Sequence, residues 1–288
     1  MAEDTIEEQP PHHLRDDWNF FKETITNNPV EIPYYFDQES WSTKKAYKLR
    51  VGHIYDLSHF WIVTKEREAS IFYKYLQLFY SKYKDHYKIP SEDLRWNMYC
   101  VVCSNDEFSR AILVDVPVAI GDNRFACLFL IDFGCIVKVS INDIYFMPKK
   151  LYSVPRYSIR AILAGLGPEN GVKWSTNSVN EFQTLVFNQV LIGQIKKICS
   201  SEKIIFVSLN VFNPQTQQYE SIEDTLVRKC FVKQLTSADV KEMKTAQKNR
   251  GPKKAKPIEF LTPTFKTLEY GRCVDSFAMA QFLDEYLA

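Results

Sequence analysis

The sequence contains no stretch long and apolar enough to cross a membrane, and no segment typical of a secretory signal. Its longest apolar run, residues 126–137, is interrupted by Asp132 and falls short of the roughly 20 residues that a bilayer requires. The first eight residues are acidic and lack the apolar core of a signal peptide. We therefore predict a cytoplasmic or nuclear protein that does not bind membranes.

An excess of charge of either sign is also absent. The 36 Lys and Arg residues nearly balance the 35 Asp and Glu residues, which leaves a net charge of +1. Tight electrostatic binding of nucleic acid requires a broad basic face, so we do not expect one over the whole molecule. The seven cysteines are an odd number, and without a signal peptide they indicate free thiols in a reducing compartment.

The sequence further lacks the motifs of the common enzyme classes. No P-loop, nucleophile-elbow or zinc-protease pattern is present. The triplet Asp132-Phe133-Gly134 also occurs in kinases, but here neither a glycine-rich loop nor a His-Arg-Asp catalytic loop accompanies it. We predict a protein that is not an enzyme and that requires no cofactor.

What the sequence does contain is an aromatic-rich, strand-rich globular composition. Hydrophobic residues make up 45% and charged residues 25%, as in ordinary soluble proteins. Within residues 98–146, apolar runs at 98–103, 108–116, 124–131 and 136–141 are separated by short polar turns. The connections are too short for parallel crossovers, so this stretch predicts a small antiparallel barrel.

Other elements flank this central stretch on both sides. Residues 47–64 alternate like a hairpin, and residues 66–85 carry apolar side chains at helical spacing. After the stretch, Ser175 to Ser178 predict the start of a helix that continues to about Cys199. A strand at 204–212 and a short helix that begins at Ser221 follow.

Two groups of residues carry a resemblance to a known family. Residues 108–111, Phe-Ser-Arg-Ala, and 129–134, Phe-Leu-Ile-Asp-Phe-Gly, resemble the Tudor signature, usually Trp-Tyr-Arg-Ala and Phe-Tyr-Ile-Asp-Tyr-Gly-Asn. Residues 151–155 and 160–168 are similar to the segment that follows the barrel in extended Tudor domains. The resemblance is to extended Tudor domains of the germline type associated with PIWI proteins. It implies an α+β fold, mostly β, with a Tudor β-barrel inserted in a staphylococcal-nuclease-like, OB-fold-like subdomain.

The resemblance also gives a domain organisation. Residues 1–45 are expected to form an N-terminal extension, of which 1–16 is disordered. Residues 46–240 correspond to the extended Tudor domain, with nuclease-like halves at about 46–90 and 155–240 and the barrel at about 95–150. The remaining segments are a basic linker at 241–257 and a C-terminal segment with a helix at 258–288.

The resemblance implies a site in which aromatic rings surround a methylated arginine through cation–π contact. At four aromatic positions and one asparagine position, this sequence keeps one ring, that of Phe133. The loss of three rings forfeits a few kcal/mol of binding, so we expect a shallow apolar slot instead of a full aromatic cage. The predicted slot is lined by the residues at those five positions: Cys103, Ser109, Leu130, Phe133 and Cys135.

The function implied is that of a scaffold in the piRNA pathway, active in transposon silencing in the germline. The resemblance is to extended Tudor domains that bind PIWI tails without requiring methylation, so the expected partner is an arginine-rich tail of a PIWI-family Argonaute. The expected location is the cytoplasm, in perinuclear germ granules, with the nucleus as an alternative.

Two other functions remain open. In the first, the chain is an adaptor that binds another Tudor protein or a helicase through its aromatic N-terminal segment or its C-terminal helix. In that case the residues at the five cage positions have lost their binding function. In the second, the chain binds RNA if the seven Lys and Arg residues in 241–256 form a basic patch.

A zinc site is a further hypothesis, because Cys100 and Cys103 are joined by two residues and Cys127 and Cys135 follow. Positions i and i+3 of a strand point to opposite faces, however, whereas zinc sites usually place such a pair on a turn. We therefore expect no metal.

Overall fold

The computed structural model describes residues 31–115, 124–169, 174–229, 231–236 and 265–270. Most of the elements in these ranges are strands. The strands are β1 (Ala46–Asp56), β2 (His59–Val63), β3 (Tyr99–Ser104), β4 (Glu107–Asp115), β5 (Phe125–Leu130), β6 (Cys135–Ser140), β7 (Ile144–Tyr145), β8 (Ile159–Leu163), β9 (Leu166–Pro168), β10 (Leu191–Cys199), β11 (Ile204–Asn213), β12 (Gln218–Ser221) and β13 (Val232–Gln234). The helices are α1 (Glu66–Tyr83), α2 (Lys149–Tyr152), α3 (Thr176–Val186), α4 (Ile222–Arg228) and α5 (Phe265–Tyr270).

The chain divides into two compact units. Of the described residues, the first unit comprises 31–33, 68–115, 124–132 and 136–156. The second comprises 34–67, 133–135, 157–169, 174–229, 231–236 and 265–270. The three-residue segment 133–135 thus belongs to the second unit although it lies between two strands of the first. None of the described helices is long and apolar enough to span a membrane.

The first unit is a five-stranded antiparallel sheet packed against α1. The strand order is β6-β5-β4-β3-β7. Helix α1 is fixed to β4 by Gln77, whose amide donates to the Phe108 carbonyl at 2.8 Å and accepts the Phe108 N–H at 2.8 Å. The Tyr80 ring stacks on Phe108 at 5.2 Å, and its hydroxyl donates to the Phe146 carbonyl. These contacts join the predicted helix to the predicted strands.

The helix buries a different face from the one that the apolar spacing favours. Ala69, Phe72, Leu76 and Tyr80 are buried, whereas Ile71, Tyr75 and Leu78 are exposed. Both sets repeat at three and four residues, so spacing alone does not distinguish them.

The second unit is a barrel closed by five strands. The order β10-β1-β2-β8-β11 is completed by pairing between β10 and β11, and β12 adds to β11. The predicted hairpin is β1 and β2, with a turn in which the Asp56 carboxylate accepts the Ser58 N–H at 2.7 Å. Tyr34, Tyr35 and Phe36 extend the hydrophobic core of this barrel.

The prediction of a helix from Ser175 to about Cys199 is wrong in its second half. Helix α3 begins at its Ser175 cap but ends at Val186, and Asn188 adopts a positive φ of 53° that cannot continue a right-handed helix. Residues 191–199 form β10 instead, in which Leu191, Gly193 and Ile195 point inward in alternation. Pairing with both β1 and β11 selects the strand, and such partners are not visible in a local pattern.

Three predicted segments lie outside the described residues. They are the disordered residues 1–16, the basic linker at 241–257 and the C-terminal helix within 258–288.

Candidate peptide-binding site

The arginine and the aspartate of the signature form a buried ion pair inside the first unit. The Arg110 guanidinium donates to both oxygens of Asp132, from Nε at 2.8 Å and from Nη2 at 2.7 Å, and neither side chain is exposed. Its other N–H groups donate to the carbonyl oxygens of Leu151, Val154 and Pro155 at 2.6–2.9 Å. All five guanidinium donors are thus used. Arg110 joins the two motifs of the family to the segment 151–155, so these residues build the scaffold and do not face a ligand.

The turn between β3 and β4 sets the position of Cys103. Asn105 and Asp106 both have positive φ, 50° and 62°, which is the geometry of a tight two-residue hairpin. Burial raises the pKa of Cys103, and the negative charges of Asp143 and Asp106 raise it further, while Lys84 acts in the opposite direction. Cys103 therefore lies in a locally acidic environment at this end of the sheet.

Tyr145 is also affected by negatively charged side chains, of which it shares Asp143 with Cys103. Burial raises the pKa of Tyr145, and Asp143, Cys103 and Asp85 add to the shift. We call Asp85, Asp106 and Asp143 the acidic rim of the first unit. The rim was not predicted, because its members come from three separate turns or loops of the sequence.

The strand register brings two of the predicted slot residues together and separates a third. Ser109 pairs with Val102, and Leu130 pairs with Ala111, two residues after Ser109. Ser109 and Leu130 therefore project from the same face, and both are more than 90% buried. Cys103 pairs with Phe108, so its side chain projects from the opposite face of the sheet, where it is partly exposed.

Phe133 and Cys135, the other predicted slot residues, belong to the second unit. The Phe133 carbonyl accepts the His53 N–H at 3.2 Å, which ties the segment to β1. Gly134 has φ of 87° and lies so close to the Trp61 ring that a Cβ atom would find no room. Phe133 keeps 36% of its surface exposed.

An aromatic row on β1 and β2 accompanies Phe133 in the second unit. The His53 and Tyr55 rings are 4.7 Å apart, and Tyr55 contacts Trp61 at 5.5 Å in an edge-to-face arrangement. Burial lowers the pKa of His53 to about 4, so its ring is neutral at physiological pH and does not repel a cation. The alternation of residues 49–55 predicts that His53 and Tyr55 lie on the same face of a strand. Their proximity to segment 133–135 depends on the tertiary structure and cannot be predicted from this alternation.

The cysteines of the zinc hypothesis have the properties of protonated core thiols. Burial raises the pKa of Cys135 to about 11 and that of Cys100 still further. Among the described residues, no cluster of His, Cys, Asp and Glu has the arrangement of a metal site.

The low pKa of His53 predicts a pH dependence of stability. In the unfolded protein His53 has a pKa of 6.5, whereas in the folded protein its pKa is about 4. Between these two pH values, the unfolded state binds a proton that the folded state does not. The free energy of unfolding is therefore unaffected by His53 above pH 6.5 and falls by about 1.4 kcal/mol per pH unit below it. Urea unfolding at pH 7.0 and 5.5 is expected to show a smaller loss for His53→Gln than for the wild type. Equal losses would contradict the burial of a neutral ring.

Part of the chain resembles a known family at the level of sequence. Residues 42–165 match the model of the Tudor domain. No curated protein sequence matches the chain significantly.

Three solved extended Tudor domains share the fold of this chain. The third extended Tudor domain of mouse TDRD1, in complex with a MILI peptide that contains dimethylarginine, has a TM-score of 0.60 and 14% identity over 72% of this chain and 100% of its own. The human TDRD1 domain in complex with a symmetrically dimethylated peptide has a TM-score of 0.56 and 18% identity over 72% and 96%. A variant of the Drosophila melanogaster Papi domain with an unmethylated Piwi N-terminal peptide has a TM-score of 0.57 and 14% identity over 66% and 100%.

These likenesses confirm the predicted fold class, mostly β with helices, and the resemblance to extended Tudor domains. The Tudor family consists of peptide-binding modules, and no catalytic family is indicated. The predicted slot residues and the absence of a complete cage are not tested by the comparisons and stay predictions.

Proposed function

We propose that this protein is a non-enzymatic interaction module, or scaffold, of the piRNA pathway that binds an arginine-rich PIWI-type tail with little dependence on arginine methylation. The proposal places it in the cytoplasm, in perinuclear germ granules. Its support is the fold shared with peptide-bound domains of TDRD1 and Papi, together with the charge and the aromatic surface described above.

The observation that carries the proposal is the acidic rim. Its carboxylates add to the burial that raises the pKa of Cys103 and Tyr145, so they contribute negative charge at this end of the sheet, where Lys84 acts in the opposite direction. A negative potential attracts an arginine-rich peptide and accelerates its association. RNA would be repelled by the same potential, which makes this surface unsuitable for nucleic acid.

The same observation favours unmethylated arginine. A carboxylate gains most from a guanidinium that keeps all its N–H donors, whereas an aromatic cage gains from the apolar surface that methyl groups add. This chain has carboxylates at the rim and one ring, Phe133, at the four cage positions. The solved complex of a Papi variant with an unmethylated Piwi peptide supports the idea that this fold accommodates such a ligand.

Calorimetric titration tests the proposal directly. Arginine- and glycine-rich PIWI tail peptides, each in an unmethylated and a symmetrically dimethylated form, are titrated into the protein. We expect the unmethylated form to bind as tightly as the methylated form or more tightly. A clear preference for the methylated form would contradict the proposal, and binding of neither form would favour the adaptor function instead.

Two substitutions locate the binding surface. Phe133→Ala removes one exposed ring and is expected to weaken binding of the unmethylated peptide about 2- to 30-fold, since a cation–π contact contributes about 0.5–2 kcal/mol. The double variant Asp106→Asn with Asp143→Asn is expected to weaken binding several-fold and to reduce its salt dependence.

The matched control is Glu92→Gln. It also removes one carboxylate of the first unit, but Glu92 has no part in raising the pKa of Cys103 or Tyr145. Unchanged affinity in Phe133→Ala and in the rim variant would show that the peptide binds elsewhere.

A further inference from the structure

Helix α5 contacts other residues of the second unit through its side chains. The Phe265 ring packs edge-to-face on Trp61 at 5.1 Å and contacts the His59 ring at 5.1 Å. Leu268 is fully buried. An apolar pair three residues apart therefore holds one face of the helix against the barrel surface.

A charged group completes this contact. The Glu269 carboxylate accepts from Arg160 at two atoms, Nε at 2.7 Å and Nη2 at 2.5 Å, and both side chains are at most 5% exposed. The Tyr34 hydroxyl donates to the same carboxylate at 3.3 Å. A bidentate pair of this kind fixes position and orientation, so it selects a glutamate one residue after the leucine. Sequence reasoning missed this helix because six residues give too short a pattern.

Three features distinguish α5 from the elements that form the barrel. The barrel closes through β10 and β11 without it. A helix of six residues is not stable by itself in water, so its conformation depends on the surface that it covers. The 28 residues of 237–264 separate it from the last described residue of the barrel unit.

From these features we infer that the second unit carries another peptide-binding site, for a short helix with the pattern Phe-x-x-Leu-Glu, and that residues 265–270 of this chain are its resident, exchangeable ligand. We call it the α5 site and define it by the residues that α5 contacts: Tyr34, His59, Trp61, Arg160 and Glu202. The site shares Trp61 with the aromatic row described above, and its ligand supplies a carboxylate to Arg160, whereas an arginine-rich tail would supply guanidinium groups.

The inference predicts competition within the chain. A tethered ligand has an effective concentration on the order of millimolar, so a free peptide competes poorly while α5 is intact. The full chain with Phe265→Ala, Leu268→Ala and Glu269→Ala is therefore titrated with a fluorescent peptide of residues 263–272. We expect saturable binding to this triple variant and binding at least about tenfold weaker to the wild type.

Peptide variants separate specific binding from nonspecific binding. A peptide with Glu269→Gln is expected to bind at least about tenfold more weakly, because Arg160 then lacks its counter-charge. A peptide with Lys266→Ala is the control, since Lys266 is 59% exposed and its loss should change affinity less than about threefold. Equal affinity of the Glu269→Gln peptide, or no binding to a folded triple variant, would overturn the inference.

A second experiment leaves the helix itself unchanged. A protease site is inserted between residues 237 and 264 of the full chain, and the chain is cut after folding. We expect the C-terminal fragment to remain bound at high concentration, to leave on dilution and to rebind, while the barrel keeps its circular dichroism spectrum. If the barrel unfolds when the fragment leaves, or if the triple variant does not fold, α5 is part of the fold and the inference is wrong.

Discussion

Replacing Asp132 with alanine is expected to lower the free energy of unfolding by about 3–5 kcal/mol, because it leaves the Arg110 charge buried without a partner. Arg110 is not exposed at all, and the substitution removes two of its five hydrogen bonds. Desolvating a guanidinium is costly, and the carbonyl oxygens of 151–155 carry only partial charge. The loss is expected to be a large fraction of the roughly 5–15 kcal/mol that stabilises an ordinary protein.

Urea unfolding followed by tryptophan fluorescence measures this loss. The control is Glu66→Ala, which breaks the ion pair between Arg50 and Glu66, whose side chains are 39% and 47% exposed. An exposed pair contributes about 0–1 kcal/mol, so the control should change stability little. Similar losses in the two variants would show that the Arg110–Asp132 pair is not buried as described.

Replacing Gly134 with alanine is the second substitution with a large expected effect. A Cβ atom at this position would lie within 2.7 Å of three atoms of the Trp61 ring, and Trp61 is only 1% exposed, so it has little room to move. The φ of 87° adds strain for any residue with a side chain. We expect a loss of more than about 3 kcal/mol, from backbone strain and overpacking together.

Gly165→Ala provides the matched control for this substitution. Gly165 also has a positive φ, of 75°, but nothing lies within 4 Å of the position that its Cβ atom would take. Its substitution should therefore cost only the backbone term, about 1 kcal/mol. The difference in unfolding free energy between the two variants isolates the contact with Trp61. A difference near zero would contradict the close packing of segment 133–135 on β2.

The local pattern was sufficient for most of the elements. Alternation predicts the hairpin of β1 and β2, and apolar runs bounded by polar turns predict β3 and β4, because each signal lies in consecutive residues. The turn at Asn105 and Asp106 is likewise local, since these residue types tolerate positive φ. The helix caps at Ser175 and Ser221 are equally local, because each side chain accepts a nearby N–H.

The candidate site was predicted less completely than the fold. The positions Cys103, Ser109, Leu130, Phe133 and Cys135 follow from the resemblance, but their register, burial and assignment to two units do not. The acidic rim and the His53–Tyr55 pair were missed, because they consist of residues brought close only by folding.

The sequence by itself determined the strands and turns of the central stretch, the Tudor signature and the lack of known catalytic motifs, because each depends on residues within a few positions of one another. Only the tertiary structure decided that 191–199 is a strand, that Arg110 and Asp132 form the scaffold, and that Glu269 pairs with Arg160 across 109 positions of the chain. The physical reason is the same in each case. Burial and pairing with distant partners outweigh local preferences of about 1 kcal/mol per residue or less.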